Sequence, residues 1–220
     1  QQTTAEFARL WELSSPLTPT LLDAYAEHAD AYREHNFQPE IKDAREPLFE
    51  PRPWQSEALQ SLQQIRDTGY KRALVAVATG MGKTWLAAFD VRQFGMKCDR
   101  RPRVLVIAHR AHILVQAEAA LSRVLDAEYG DGATGWYLGS SSDLAGDLIV
   151  ASVQKLSRRN GLKDIAAEHF DYVVMDEVHH AHAPSYRKVL AHLDADFILG
   201  LTATPERADG YDVATIFDDN

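Results

Sequence analysis

The chain has 220 residues, of which 45% are hydrophobic and 25% charged, so it is long enough to bury one sizeable core. Its formal net charge of −9 argues against a simple basic nucleic-acid-binding domain, because Lys and Arg contacts to phosphate supply most nonspecific affinity. No apolar run is long enough to cross a bilayer and no signal-peptide pattern opens the chain. The single cysteine, Cys98, excludes an intrachain disulfide and fits a reducing compartment, so we predict a cytoplasmic protein.

The first 50 residues differ in composition from the rest of the chain. They contain ten acidic residues and four Lys or Arg, a net charge of −6, and show helical spacing over residues 3–13 and 19–35. A Pro- and charge-rich connector follows over residues 39–53. We therefore predict a helical extension and linker over residues 1–50 and a separate domain over residues 51–220.

The elements of the second domain follow from apolar runs and start signals. Pro53 at a helix start and Gly69 after its end predict the first helix. Short apolar runs predict buried strands near 73–78, 104–108, 148–151, 171–175 and 196–200, with a further strand around Gly135–Leu138 and a short helix at Asp212–Phe217. Because helical patterns separate the strands, we predict a three-layer α/β domain with a mostly parallel sheet.

A glycine-containing segment, Ala-Thr-Gly-Met-Gly-Lys-Thr at 78–84, lies between the first strand and a helical pattern. Backbone N–H groups and a helix N-terminus in this context can bind phosphate, and the glycines let the backbone approach the anion. Lys83 can reach the outer phosphates and the Thr84 hydroxyl can ligate Mg²⁺. Val77 stands where a phosphate loop typically has glycine, and the alternative is an ordinary glycine turn. The predicted contacts to nucleotide are Thr79, Gly80, Met81, Gly82, Lys83 and Thr84.

Two adjacent acids, Asp176 and Glu177, follow the strand predicted at 171–175. The carboxyl ends of parallel strands face the ligand crevice, so these side chains are expected beside the phosphate loop. Asp176 can hold Mg²⁺, and Glu177 can orient and deprotonate a water that attacks the terminal phosphate. The predicted catalytic residues are Lys83, Asp176 and Glu177, with Thr84 and Asp176 at the metal.

These two segments and Leu-Thr-Ala-Thr-Pro at 201–205 resemble, in order and spacing, the motifs of the superfamily 2 helicases and translocases of the DExH group. The resemblance covers about residues 50–210 and implies a RecA-like P-loop lobe that binds ATP and Mg²⁺ and acts on nucleic acid. In that family the histidine of DExH, here His179, and the third motif, here Thr202 and Thr204, couple the state of ATP to the grip on the nucleic acid.

Arg52-Pro53-Trp54-Gln55 resembles the adenine-reading segment of the same family. The Gln55 amide can donate to and accept from adenine, and the Arg52 guanidinium can stack on the base. The alternative role is to start the helix at Pro53. The two roles are compatible, and we favour both.

Two further blocks resemble the family's nucleic-acid contacts. Arg110, after the strand at 104–108, is predicted to contact a phosphate, and the alternative is a solvated arginine. Ser152 and Gln154, after the strand at 148–151, are predicted hydrogen-bond donors to the backbone, although residues at a helix start are equally often caps. Lys155, Arg158, Arg159 and Lys163 form a nearby basic stretch that adds positive potential or is simply a solvated face.

The resemblance also implies a larger protein. The chain begins with Gln1 and stops at Asn220, shortly after the third motif, so we expect a second motor lobe outside this chain and weak or absent turnover by the chain alone. Residues 14–26 resemble the junction in bacterial proteins that fuse a phospholipase-D-like nuclease to a DExH motor, which favours DNA over RNA. We expect an ATP-dependent helicase or translocase. The alternatives are a restriction- or repair-type translocase that moves on duplex DNA without unwinding it, and a nucleotide-dependent docking module.

Overall fold

We describe the fold from a computed structural model of the chain, for residues 50–178, 184–203 and 217. All of these residues belong to one compact unit, Leu48–Asn220. The helices predicted within residues 1–50 lie outside the described residues, and so does the helix predicted at Asp212–Phe217 apart from Phe217. The boundary at residue 50 stays a prediction.

Helices and strands alternate along this unit. The helices are α1 (Pro53–Asp67), α2 (Lys83–Cys98), α3 (Ala111–Tyr129), α4 (Val153–Leu156) and α5 (Pro184–His192). The strands are β1 (Arg72–Ala76), β2 (Val104–Ala108), β3 (Thr134–Leu138), β4 (Ser141–Ser142), β5 (Leu148–Ser152), β6 (Tyr172–Met175) and β7 (Phe197–Thr202).

The strands described form one seven-stranded sheet in the order β1-β7-β6-β2-β5-β3-β4. Every neighbouring pair is parallel except β3 and β4, which are antiparallel. The predicted α/β fold with a mostly parallel sheet is confirmed. β1 ends at Ala76 rather than at residue 78, because the chain there turns into the glycine-containing loop. The two-residue β4 is too short to leave an alternating pattern, and it was not predicted.

Side chains alternate between two cores, one on each face of the sheet. Val104, Val106 and Ala108 of β2 join the core that α1, α2 and α3 cover. Leu105 and Ile107 point to the opposite core, which α4 and α5 cover. This alternation is the period-two geometry of a strand buried on both faces, and it produces the three layers.

No helix among the described residues combines the length and apolar composition that crossing a bilayer requires. The parallel arrangement places the carboxyl ends of β1, β6, β2, β5 and β7 at the same edge of the sheet. The phosphate-loop segment, both acids and the third motif all follow these ends, so the topology brings the predicted site together.

Candidate nucleotide and nucleic-acid site

A cleft of about 440 Å³ opens at the carboxyl edge of the sheet. It is formed by the glycine-containing loop, the end of β6, the residue after β7 and the start of α3. Its walls are Thr79, Gly80, Gly82, Lys83, Thr84, His112, Ile113, Gln116, Asp176, Glu177 and Ala203. The structure therefore brings most of the predicted phosphate-binding and catalytic residues into one cavity. Met81 is not among these wall residues, and its side chain is 44% exposed.

Two glycines shape the loop that forms the floor of the cleft. Gly80 has φ 83° and Gly82 has φ 93°, a left-handed backbone that glycine adopts without a steric penalty. A Cβ atom at Gly82 would also lie 3.3 Å from Nε2 of Gln55. α2 begins at the next residue, Lys83, so the loop delivers the chain directly into a helix N-terminus.

The Lys83 ammonium group folds back over the loop. Its Nζ donates hydrogen bonds to the carbonyl oxygens of Val77 at 2.8 Å and Ala78 at 3.3 Å. An ammonium group has three donors, so these bonds hold Nζ at the cleft while leaving capacity for a phosphate oxygen. Thr84 lines the same wall one residue further on.

Asp176 lies directly after β6 and is 8% exposed. Its backbone N–H donates to the carbonyl oxygen of Ile107 at 2.9 Å, which continues the sheet pairing by one residue. Burial raises the pKa of Asp176, against the hydrogen bond from the Glu177 N–H and the charge of Lys83, which lower it. The carboxylate thus lies within electrostatic reach of the Lys83 ammonium group.

Glu177 has an unusual backbone conformation and a buried carboxylate oxygen without a partner among the described residues. Its backbone has φ 55°, which is uncommon for a residue other than glycine and typical of strain at functional sites. Its N–H donates to Oδ1 of Asp176 at 2.8 Å, so the two acids are held in one tight turn. Its Oε2 is buried and has no hydrogen-bond partner among the described residues. A buried carboxylate oxygen without a partner is costly unless a ligand completes the site.

These observations test whether the residues fit ATP and Mg²⁺. A glycine cradle at a helix start, a lysine at its mouth and an incompletely bonded carboxylate suit a polyphosphate and a water nucleophile. Among the described residues there is no group of three or more His, Cys, Asp or Glu arranged to hold a metal. Mg²⁺ does not require one, since it commonly binds one or two protein oxygens together with phosphates and waters. The residues that line the cleft therefore fit ATP together with Mg²⁺.

A second cavity, of about 230 Å³, adjoins the loop at Gly82. Glu50, Arg52, Gln55, Trp85 and Phe89 form its other walls. Oε1 of Gln55 accepts a hydrogen bond from the Arg52 N–H at 2.8 Å, and its Nε2 donates to the carbonyl oxygen of Gly82 at 3.0 Å. The helix-start role of Gln55 is therefore present. Its reading of adenine together with Arg52 stays a prediction, which the aromatic wall of this cavity favours.

The third motif is joined to the phosphate loop through the backbone. Thr202 is fully buried at the end of β7, and its carbonyl oxygen accepts a hydrogen bond from the Val77 N–H at 2.9 Å. Ala203 reaches the cleft wall. His179 and Thr204 lie outside the described residues, so the predicted coupling roles of His179, Thr202 and Thr204 stay predictions.

The predicted nucleic-acid residues lie at the same sheet edge. Arg110 is exposed and precedes α3 with an extended backbone. Oγ of Ser152 accepts from the Lys155 N–H at 3.4 Å and so caps α4. Nε2 of Gln154 lies 2.9 Å from the His109 carbonyl oxygen and 2.8 Å from His109 Nδ1. The amide nitrogen of Gln154, which is the predicted donor to nucleic acid, therefore ties the start of α4 to the residue after β2. All three contacts to nucleic acid stay predictions.

Lys155 does not belong to an open basic face. It is only 8% exposed, and its Nζ donates to Gly139 O at 3.3 Å, to Ser142 Oγ at 2.8 Å and to the carbonyl oxygen of Ser141. The ammonium group also lies 4.6 Å from the centre of the Tyr137 ring. The solvated-face alternative is thus wrong for Lys155, because its buried ammonium group holds the turn between β3 and β4.

The first turns of α3 form a wall of the cleft that was not predicted from the sequence. His112, Ile113 and Gln116 line the phosphate cleft from the first turns of this helix. His112 and Gln116 are four residues apart and so lie on the same side of the helix. That spacing, directly after a strand that ends at the ligand edge, was the available signal for these two residues.

The amino-acid sequence matches a known protein family. A family model described as "Type III restriction enzyme, res subunit" matches residues 48–207. The chain belongs to this family. Membership of this family confirms the resemblance to the first motor lobe of the superfamily 2 helicases and translocases that the sequence motifs indicated. The fusion to a phospholipase-D-like nuclease stays a prediction.

Relatives of this restriction-subunit lobe include two proteins with curated names. The chain is 32% identical over 179 residues to the "Putative mitochondrial ATP-dependent helicase irc3" of Schizosaccharomyces pombe, covering 76% of this chain and 28% of that protein. It is 29% identical over 173 residues to "DNA 3'-5' translocase XPB2" of Sulfurisphaera tokodaii, covering 78% and 34%. The chain thus spans about a third or less of the length of these relatives.

The solved structure of the UvsW helicase from bacteriophage T4 shares the fold. The TM-score is 0.58 at 16% identity, covering 77% of this chain and 57% of that one. At this identity the likeness concerns the fold, and it supports the RecA-like architecture of the restriction-subunit lobe.

Proposed function

We propose that the protein containing this chain is an ATP-dependent DNA translocase or helicase, and that this lobe supplies its phosphate-binding loop and its general base. The observation that carries the proposal is the convergence of Lys83, Asp176 and Glu177 on one cleft, with one carboxylate oxygen of Glu177 buried and unpartnered among the described residues. The names of the two relatives, an ATP-dependent helicase and a DNA translocase, support both the reaction and the choice of DNA.

The chemistry follows from the positions of the side chains. Lys83 neutralises charge on the outer phosphates, and the Thr84 hydroxyl and the Asp176 carboxylate are the groups that would hold Mg²⁺. When bound, Mg²⁺ neutralises the charge that develops on the phosphate oxygens. Glu177 accepts a proton from the attacking water, the water oxygen bonds to the terminal phosphorus, and the bond from that phosphorus to the bridging oxygen breaks to release ADP.

Movement along DNA requires more than this lobe. Arg110, Ser152 and Gln154 would contact the DNA backbone at the same edge of the sheet as the nucleotide, so a change at the cleft can reach them through β2 and β5. A second motor lobe would close over ATP and supply further charge to the terminal phosphate, a contribution that is worth about 10³–10⁵ in turnover where an arginine finger provides it. We also propose that the full-length protein carries a nuclease domain, on the resemblance of residues 14–26. We further propose that it is cytoplasmic, on the single cysteine of this chain.

The experiment is ATP turnover by the full-length protein without nucleic acid and with duplex DNA, single-stranded DNA or RNA of matched length. We expect stimulation by DNA, and stimulation by duplex without strand separation would identify a translocase that does not unwind. Stimulation by RNA alone would contradict the choice of DNA. Nucleotide binding with no stimulation of turnover by any polymer would contradict a motor function and favour a nucleotide-dependent docking module.

A further inference from the structure

Two buried polar atoms that lack partners among the described residues belong to Glu177, which lines the cleft, and to Tyr186 of α5. Oη of Tyr186 and Oε2 of Glu177 are both buried, and neither has a hydrogen-bond partner within the part of the chain that the structure describes. One is a hydroxyl that can donate and the other is a carboxylate oxygen that accepts. Buried polar groups are nearly always bonded, so an unbonded donor and an unbonded acceptor call for a physical reason.

The Tyr186 ring is anchored beside the two catalytic acids. Tyr186 is 1% exposed in the first turn of α5. It belongs to the same apolar cluster as Met175 and Val178, which flank Asp176 and Glu177 in the chain. Burial raises the pKa of Tyr186, and the charges of Glu177 and Asp176 raise it further. The Tyr186 ring thus packs with the residues on either side of the two acids, and its raised pKa favours the hydroxyl form that can donate.

Packing alone does not explain the hydroxyl. A phenylalanine ring would fill the same apolar cluster without burying a polar atom. The strained backbone of Glu177, at φ 55°, turns its side chain away from regular strand geometry and toward the cleft. A carboxylate that acts as a general base has two oxygens, and one of them must be held toward the attacking water.

We propose that Tyr186 is a positioning residue for Glu177: its hydroxyl donates to the Glu177 carboxylate and holds the other oxygen toward the attacking water. This inference rests on the proposed ATP hydrolysis and adds a residue to that site. The two atoms are not bonded to each other in the structure, so the proposal includes that the bond forms when nucleotide fills the cleft. Tyr186 touches no reacting atom and acts through Glu177 alone.

The test uses the full-length protein with Tyr186→Phe. We expect kcat for DNA-stimulated ATP hydrolysis to fall at least tenfold, while KM and the binding of a fluorescent ATP analogue stay within twofold. The melting temperature without nucleotide should stay the same or rise, because the variant removes a buried hydroxyl that has no partner in the described fold. The matched control is Tyr137→Phe, since Oη of Tyr137 is bonded to the Gly161 carbonyl oxygen at 2.9 Å. That control should melt lower and keep kcat.

A second comparison separates positioning from a general packing defect. In Glu177→Gln the base is already lost, so adding Tyr186→Phe should lower the residual single-turnover rate no further. Wild-type kcat in Tyr186→Phe, a loss of kcat matched by a fall in melting temperature, or an additive loss in the double variant would each overturn the inference. A wild-type protein that does not hydrolyse ATP would instead overturn the proposed function.

Discussion

Gln55 donates a hydrogen bond from Nε2 to the carbonyl oxygen of Gly82 at 3.0 Å, which ties the first helix of the domain to the phosphate loop. The same side chain accepts from the Arg52 N–H at 2.8 Å and so starts α1. One amide therefore fixes both the start of a helix and the position of the left-handed glycine that precedes α2. The cavity lined by Trp85 and Phe89 and the larger cleft meet at this contact, since Gly82 lines both.

Gln55→Ala removes both hydrogen bonds, and we expect KM for ATP to rise about tenfold, since a hydrogen bond of this kind contributes about 0.5–1.5 kcal/mol. Discrimination between ATP and GTP should fall as well if Gln55 reads adenine. The measurement is steady-state hydrolysis of both nucleotides by the full-length protein. The control is Gln63→Ala on the same helix, whose amide donates to Asp67 at the surface. An unchanged KM in Gln55→Ala would show that Gln55 does not contribute to ATP binding.

A buried ion pair also joins the last turn of α1 to the middle of α2. The Arg66 guanidinium donates to both carboxylate oxygens of Asp90, at 2.7 Å and 2.8 Å. Asp90 is fully buried, and the Tyr172 hydroxyl donates to it as well. Removing one partner of such a pair leaves an uncompensated buried charge.

Asp90→Asn should therefore lower the free energy of unfolding by about 3–5 kcal/mol, measured by urea denaturation of the 220-residue chain. The matched variant is Asp67→Asn, which breaks the exposed pair of Asp67 with Lys97 and should cause no measurable loss. Equal stability of the two variants would show that the buried pair does not hold α1 to α2.

Asp171 predicts how stability depends on pH. Burial would raise its pKa, but hydrogen bonds from the Arg100 side chain and from Arg103 outweigh burial and hold the pKa of Asp171 well below its usual range. Because the folded-state pKa is depressed, the stabilisation is complete above the unfolded-state pKa of about 3.9. It is lost as the pH falls from there toward the folded-state pKa.

Asp171→Asn should cost about 1–2 kcal/mol at pH 7, a value reduced from full linkage because both arginines are about half exposed. The difference from the wild type should shrink at pH 3, measured by denaturation at each pH. A difference that is constant between pH 7 and pH 3 would show that the ionised carboxylate does not contribute.

Lys155 should stabilise the edge of the sheet that β3 and β4 form. Lys155→Met removes the donor to three oxygens in the turn between β3 and β4, and we expect a loss of about 2 kcal/mol, since those acceptors lose their partner. Amide hydrogen exchange should become faster in β3 and β4 and stay unchanged in β1. Lys163→Met, at an exposed position, is the control and should leave exchange unchanged. Unchanged exchange in Lys155→Met would show that the Lys155 ammonium group does not stabilise β3 and β4.

The sequence was sufficient for the fold and the main site because their signals are local. A phosphate loop needs glycines and a lysine at fixed spacing, and the acid pair needs only a buried strand before it. Parallel strands then bring Lys83, Asp176 and Thr202 to one edge without further information. The approximate strand positions and the three-layer arrangement follow from apolar runs of ordinary length, although β1 ends two residues before its predicted end.

Other features depend on contacts between residues far apart in the chain, which local patterns do not encode. Lys155 belongs to a stretch that also holds Arg158, Arg159 and Lys163, and nothing in that stretch shows that one ammonium group is turned inward under Tyr137. The wall formed by His112 and Gln116 requires knowing which side of α3 faces the cleft. Tyr186 lies outside every motif, and its role can be inferred only from burial.

The most direct test of the central claim compares wild-type full-length protein with Glu177→Gln, measuring equilibrium binding of ATP with Mg²⁺ and DNA-stimulated turnover in parallel. We expect Glu177→Gln to keep ATP affinity within about threefold and to lose turnover by at least about 10²-fold, because it removes the proton acceptor and keeps the shape of the side chain. Glu168→Gln, at an exposed position, should behave as the wild type. Wild-type turnover in Glu177→Gln would contradict the assignment of the general base, and with it the account of this cleft as the site of ATP hydrolysis.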